Sequence, residues 1–211
     1  MELQHQDKKD LLLLRKINNK NMLDSLVTII IPTKDSFPKI KETIENIITQ
    51  TKIRGVNVLV PDFGSTDGGY QYAAQASSIH FKYLKIESIN YAKTKSPMLN
   101  IMESIKTPYA LFITPGIILE DPDFILNSIN YIMKYNEGIM VYNKKIEGSV
   151  PNMFKKWCDN MFLSSLIKNH IPVKIFMCKT KYVHKCNIND DLKFIIDGKD
   201  FIINKAKISL G

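Results

Sequence analysis

The chain has 211 residues, 45% of them hydrophobic, and a net charge of +8. That apolar share is enough for a core and excludes global disorder, and no apolar run reaches the roughly 20 residues of a membrane-crossing helix. The positive field favours anionic partners such as nucleotide diphosphates, nucleic acid or an acidic membrane face. The lysines are scattered, which favours an anion-binding cleft over a dedicated nucleic-acid surface.

Residues 1–25 read as an amphipathic helical extension ending near the run Asn-Asn-Lys-Asn. The leucines at 11–14 are flanked by Lys8, Lys9, Asp10, Arg15 and Lys16 and lack the shape of a cleavable signal, so a cytoplasmic chain is expected, in free solution or peripheral at a membrane. From Val27 the texture changes. Residues 27–32 form a β-branched run without alternation, as in a parallel strand covered on both faces. A helix follows over residues 37–51, with Ile40, Ile44, Ile47 and Ile48 at helical spacing and Pro38 in its first turn.

Residues 56–61 read as a second buried strand, 62–69 as a turn, and 70–77 as a short helix. A strand at 81–86, a helix at 98–106 and a strand at 109–114 continue the alternation, which indicates an α/β domain with a mainly parallel central sheet. Beyond it, residues 122–135 read as a helix, with Ile125, Ile129, Ile132 and Met133 on one face. Strands are expected at 139–143 and 173–178, a helix around 152–169, and a final helix over 197–210. The expected organisation is one domain over 26–211, with a nucleotide-binding half (26–118) and an acceptor-side half (119–211).

Cys158, Cys178 and Cys186 make an odd set without a scaffold pattern, which favours reduced thiols. Cys178 and Cys186 flank His184, but the spacing fits no familiar zinc knuckle and a fourth ligand is missing.

In open parallel sheets, ligands sit beyond the carboxyl ends of the strands. The residues there are Thr33, Lys34 and Asp35; Asp62, Gly64, Ser65, Thr66 and Asp67; and Thr114, Pro115 and Gly116. The glycine-rich turn at 64–69 matches neither a Walker loop nor a dinucleotide fingerprint. Alone it reads as a turn into a helix cap.

Taken together, "VTIIIPTKDSFPKIKETIENIITQT", "VNVLVPDFGSTDGG" and "TPYALFITPGIILEDPDFI" resemble the family 2 glycosyltransferases, which have the GT-A fold. The resemblance covers residues 27–125, with a weaker echo near the C-terminus. It implies a nucleotide-sugar donor, with a uridine nucleotide expected, lying along Pro32 and Thr33 with Asp62 at the base or ribose. Asp35, Gly64, Ser65, Thr114 and Gly116 complete the implied donor site. An acceptor glycan, lipid or protein is implied, and a protein partner or homo-oligomer is compatible with it.

The chain departs from the family pattern twice. Phe63 stands where the second aspartate of the loop is usual, and both stacking on a base and packing under the loop are open to it. Thr114-Pro115-Gly116 stands where Asp-x-Asp holds Mn²⁺ or Mg²⁺ against the phosphates, so no metal is expected to be required and any dependence should be loose. Asp121 and Asp123 form a literal Asp-x-Asp, but Asp121 before Pro122 reads as a helix cap with Asp123 favoured by the dipole. Lys93, Lys95 and Lys185 are candidate metal substitutes.

For the base that deprotonates an acceptor hydroxyl, the resemblance points to Asp197 and, beside it, Asp200, whose other role is an N-terminal helix charge. His184 is a weaker candidate. Three readings stand open: a transferase with little or no metal dependence, a catalytically silent GT-A domain that binds a nucleotide or a partner, and, as the weakest, nucleic-acid binding through basic charge alone.

Overall fold

The first strand, β1 (Val27–Ile30), is buried at every position, because helices cover both faces of the sheet it belongs to. The computed structural model describes residues 26–49, 56–79, 84–93, 97–134, 139–144, 175–188, 194–196, 201–206 and 208–210. Six further strands join β1 in the main sheet: β2 (Val56–Asp62), β3 (Leu84–Asn90), β4 (Tyr109–Ile113), β6 (Ile139–Lys144), β7 (Ile175–Lys179) and β10 (Phe201–Ala206). Their order is β10-β6-β7-β4-β1-β2-β3. The pairs β1–β2, β1–β4, β2–β3 and β6–β10 are parallel, while β7 runs antiparallel to both β4 and β6.

Alternation within each strand divides two cores. Tyr109, Leu111 and Ile113 of β4 face one side, with Val27, Ile29, Val58 and Val60. Helix α1 (Lys39–Thr49) covers that side with Ile40, Ile44 and Ile47, one face of a 3.6-residue period. Helix α2 (Gly69–Ile79) packs there through Ala73 and Ala76, and helix α4 (Phe124–Lys134) through Phe124, Ile125, Ile129 and Ile132. Ala110 and Phe112 face the other side, under Ile101 of helix α3 (Pro97–Ser104), Ile105 just beyond it, and Val183 of the 3-10 turn Thr180–Lys185. On this side Phe112 stacks on its cross-strand partner Phe176, with centroids 4.5 Å apart and planes 6° apart. Such a pair adds about 0.5–1.5 kcal/mol beyond its buried area.

The strands β4, β1 and β2, each read from the sequence as a strand of a mainly parallel sheet, lie side by side and parallel. The tail is not a helix; it forms β10, parallel to β6 at the sheet edge, and β11 (Ile208–Leu210), antiparallel to β5 (Ile117–Leu119). The free edge of β6 and the short β5 offer pairing partners far away in sequence, and such partners override a local helical pattern. The third strand also begins later than expected and runs on to Asn90. A small hairpin of β8 (Cys186–Ile188) and β9 (Phe194–Ile196) was not anticipated. The proposed helices at 1–25 and 152–169 lie outside the described residues. Among the described residues, no helix is long and apolar enough to cross a membrane.

Candidate functional site

From β1 the chain steps outward to β2 and β3, then returns to place β4 on the other side of β1. Strand order therefore reverses at β1, and the loops after β1, β2 and β4 share one edge of the sheet. This is where open α/β sheets form a ligand crevice.

Strand pairing continues into the first loop. Ile31 N–H donates to Leu59 O and Thr33 N–H to Pro61 O, each at 2.9 Å, and Phe63 N–H returns a bond to Thr33 O at 2.9 Å. Pro32 and Thr33 are buried, and the Thr33 hydroxyl bonds to that of Ser36. Asp35, exposed at the tip, sits at φ 45°, a left-handed conformation that aspartate tolerates better than most residues.

In the second loop, Asp62 is 0% exposed. Its carboxylate accepts the N–H groups of Gly64 (3.0 Å) and Ser65 (3.1 Å) and the Ser65 hydroxyl. The carboxylate expected to meet a base thus faces its own turn, where it fixes the loop. Gly64 (φ 91°) passes so close to Ala92 that an added Cβ would come within 3.2 Å of the Ala92 Cβ.

The two loops are stitched together. Asp35 Oδ1 accepts the Thr66 N–H at 2.7 Å and the Thr66 hydroxyl at 3.1 Å, and Asp35 N–H donates to Ser65 Oγ at 3.1 Å. Asp67 Oδ2 accepts the Phe37 N–H at 2.6 Å, while its Oδ1 caps α2 at Gly69 N–H, 2.9 Å away. The Thr66 N–H, and after it the Thr66 hydroxyl, hold the Asp35 carboxyl below its ordinary value. At the rim, the half-buried Phe63 ring tilts against Tyr91, with centroids 6.3 Å apart. Burial pushes the Tyr91 hydroxyl up from its ordinary value.

The third loop is a tight turn. Ile117 N–H donates to Thr114 O at 3.3 Å, with Pro115 at the second position and Gly116 (φ 89°) at the third, the pattern a type II turn requires. Helix α1 holds it: Gly116 N–H donates to Thr43 Oγ1 at 2.8 Å, and Asn46 bonds both the N–H and the carbonyl of Leu119. The Thr114 hydroxyl is buried without a hydrogen-bond partner.

Hard divalent cations need several oxygen ligands, usually including an anionic one. This turn supplies no carboxylate, and among the described residues no three His, Cys, Asp or Glu side chains are grouped to hold a metal. Asp121 is occupied as a helix cap, its oxygens accepting the Asp123 N–H at 2.9 Å and the Asn127 amide at 3.1 Å. The residues present here do not fit the usual metal.

Asp197, Asp200 and Lys95 lie outside the described residues. Lys93 is exposed just after β3, and His184 and Lys185 fall in the 3-10 turn. Cys178 is buried within β7, outside any disulfide. The sequence reading missed Ser36, Thr43 and Asn46, all in or just before α1. Only Thr43 carried a signal, as a polar residue on the helix's apolar face.

No family model and no curated protein matches the sequence. Solved structures do match. A mannosyltransferase from Pyrobaculum calidifontis, in complex with GDP-mannose and Mn²⁺, has a TM-score of 0.58 at 15% identity, over 85% of this chain and 55% of that one. TarS from S. aureus (residues 1–349) has a TM-score of 0.53 at 14% identity, over 87% of this chain and 59% of that one. Glucosyl-3-phosphoglycerate synthase from Mycobacterium tuberculosis, with Mn²⁺, UDP and glucosyl-3-phosphoglycerate, has a TM-score of 0.59 at 10% identity, over 92% of this chain and 76% of that one. The chain spans little more than half of the first two. These neighbours are glycosyltransferases of the GT-A type, and the chain has their fold.

Proposed function

We propose that the chain is a glycosyltransferase that binds a nucleotide-sugar donor across the loops after β1 and β2. The observation that carries this reading is the Asp35–Thr66 stitch at the point of strand-order reversal. It prepays the ordering of two loops whose amides and hydroxyls can meet a diphosphate. Phe63 offers a base an aromatic face, and a uridine nucleotide remains the expected donor.

In the proposed reaction, the oxygen of an acceptor hydroxyl attacks the anomeric carbon. The bond from that carbon to the diphosphate oxygen breaks, its electron pair leaving with the diphosphate. The hydroxyl proton passes to a carboxylate, for which Asp197 is the candidate and Asp200 the neighbour to test. The acceptor belongs to a glycan, a lipid or a protein.

The carboxylate-free turn at Thr114–Gly116 favours a second reading, a catalytically silent GT-A domain that binds nucleotide or a partner. Calorimetry with UDP-, GDP-, CMP- and dTDP-sugars, followed by assay of nucleotide release, separates the two. Binding with turnover supports the transferase. Binding without release across an acceptor panel supports the silent domain. Failure to bind any donor overturns the first reading.

A further inference from the structure

Gly116 has no side chain, and the space a side chain would enter is already filled. A Cβ built there would lie 3.2 Å from Lys39 Cδ, 3.5 Å from its Cγ and 3.6 Å from its Cβ, and these are its three nearest atoms. The stem of Lys39 therefore runs along the Thr114–Gly116 turn. It is closest at Cδ, and the ammonium is carried two bonds further. Burying methylenes while leaving the charged head in water is how lysine packs on a surface. Lys39 is exposed, and it pairs with no carboxylate among the described residues.

Glycine at 116 thus serves two ends: it takes the left-handed φ of the turn, and it clears a path for the lysine. The turn holds no carboxylate to bind a cation, and the stem of a lysine lies along it instead. Beside it, the buried Thr114 hydroxyl has no protein partner.

We propose that Lys39 supplies the fixed positive charge that meets the diphosphate of a nucleotide at the Thr114–Gly116 turn. This rests on reading the β1–β2–β4 edge as the donor site. An ammonium here is a compact point charge for phosphate oxygens and needs no ligand set of its own. It also accounts for placing a long basic side chain at the start of α1, where the helix dipole disfavours positive charge.

The test compares the unmodified protein with Lys39→Met and Lys39→Arg, measuring UDP by calorimetry and uridine by NMR titration. Methionine keeps an unbranched stem over Gly116, so thermal stability should hold. The methionine variant should lose roughly tenfold or more in UDP affinity, the scale of one charge-assisted bond, and its UDP affinity should depend less on salt. Its uridine affinity should be unchanged, and arginine should restore most of the UDP affinity. If the unmodified protein binds UDP and Lys39→Met binds it equally well, the role of Lys39 is overturned while the donor site stands. If the unmodified protein binds no nucleoside diphosphate, the donor reading falls and this one falls with it.

Discussion

Asp35 Oδ1 accepts the backbone N–H of Thr66 at 2.7 Å, and through that bond the loops after β1 and β2 behave as one unit. The bond needs the carboxylate, because the Thr66 hydroxyl converges on the same oxygen. Asp35→Ala should loosen both loops, raising amide exchange at Thr66 while the core strands stay protected. Asp35→Gly should accept the φ of 45° without strain yet still lose the stitch, which separates backbone strain from hydrogen bonding.

The same bond predicts a pH response. The Asp35 carboxyl is held below its ordinary value of 3.8, chiefly by the Thr66 N–H. The folded state therefore binds this proton less readily than the unfolded chain. The stabilisation is complete above the ordinary value and is lost as pH falls through the lowered one. The Thr66 amide resonance should titrate with a midpoint below 3.8. A midpoint at or above it would mean that the bond is not maintained in solution.

Asp62 should act on stability as much as on binding. Its carboxylate is fully enclosed and satisfies the Gly64 and Ser65 amides. Asp62→Ala strands those donors, at a cost on the order of 1–3 kcal/mol, read as a lower denaturation midpoint together with weaker nucleotide binding. Weakened binding with unchanged stability would instead point to a direct contact with ligand.

These residues mark how far the sequence could be read. The apolar runs of β1, β2 and β4 announced parallel strands, because burial on both faces removes alternation. Pro115-Gly116 announced its turn, because few residue pairs suit a type II geometry. Asp62 was read as facing ligand, although an aspartate two and three residues before Gly64 and Ser65 can bond their amides locally. Lys39 could not be found from the sequence, since its role depends on Gly116 coming alongside it in the folded chain. The strands β10 and β11 were missed for a related reason: their partners β6 and β5 lie far back in the chain.

Phe63 gives a direct probe of the base. If a base stacks on its ring, Phe63→Ala should weaken binding of a nucleoside diphosphate by about 1–3 kcal/mol, the range for aromatic–base stacking. The loss should be similar for uracil and guanine, since a ring face carries no hydrogen-bond code. An unchanged affinity would assign Phe63 to packing against Tyr91 alone.

Placing a carboxylate in the turn should not create a metal site. Gly116→Asp places a non-glycine residue at φ 89° and drives its Cβ to 3.2 Å from Lys39 Cδ. Backbone strain of this kind costs on the order of 1–3 kcal/mol, and the new carboxylate would pair with the lysine ammonium. The expected result is a lower melting temperature with no Mn²⁺-dependent gain in nucleotide affinity. A clear gain would show that the lysine yields its place to a cation.

Nucleotide binding by the unaltered protein should be nearly indifferent to divalent metal. Thr114-Pro115-Gly116 offers no anionic ligand, and Asp121 is committed to capping α4. The phosphates can carry a cation in with them, so a small effect is compatible with this site. Compensating charge should come from exposed lysines and loop amides, and such charges are screened by ions over a Debye length of about 8–10 Å near physiological salt. Affinity should therefore fall steeply across a salt series while changing little between Mn²⁺ and EDTA. The measurement is donor calorimetry under both conditions at each salt concentration. A loss beyond about tenfold in EDTA, roughly 1.4 kcal/mol, would mean that carboxylates elsewhere assemble a metal site. Asp121, Asp123 and Asp197 would then be the first residues to mutate.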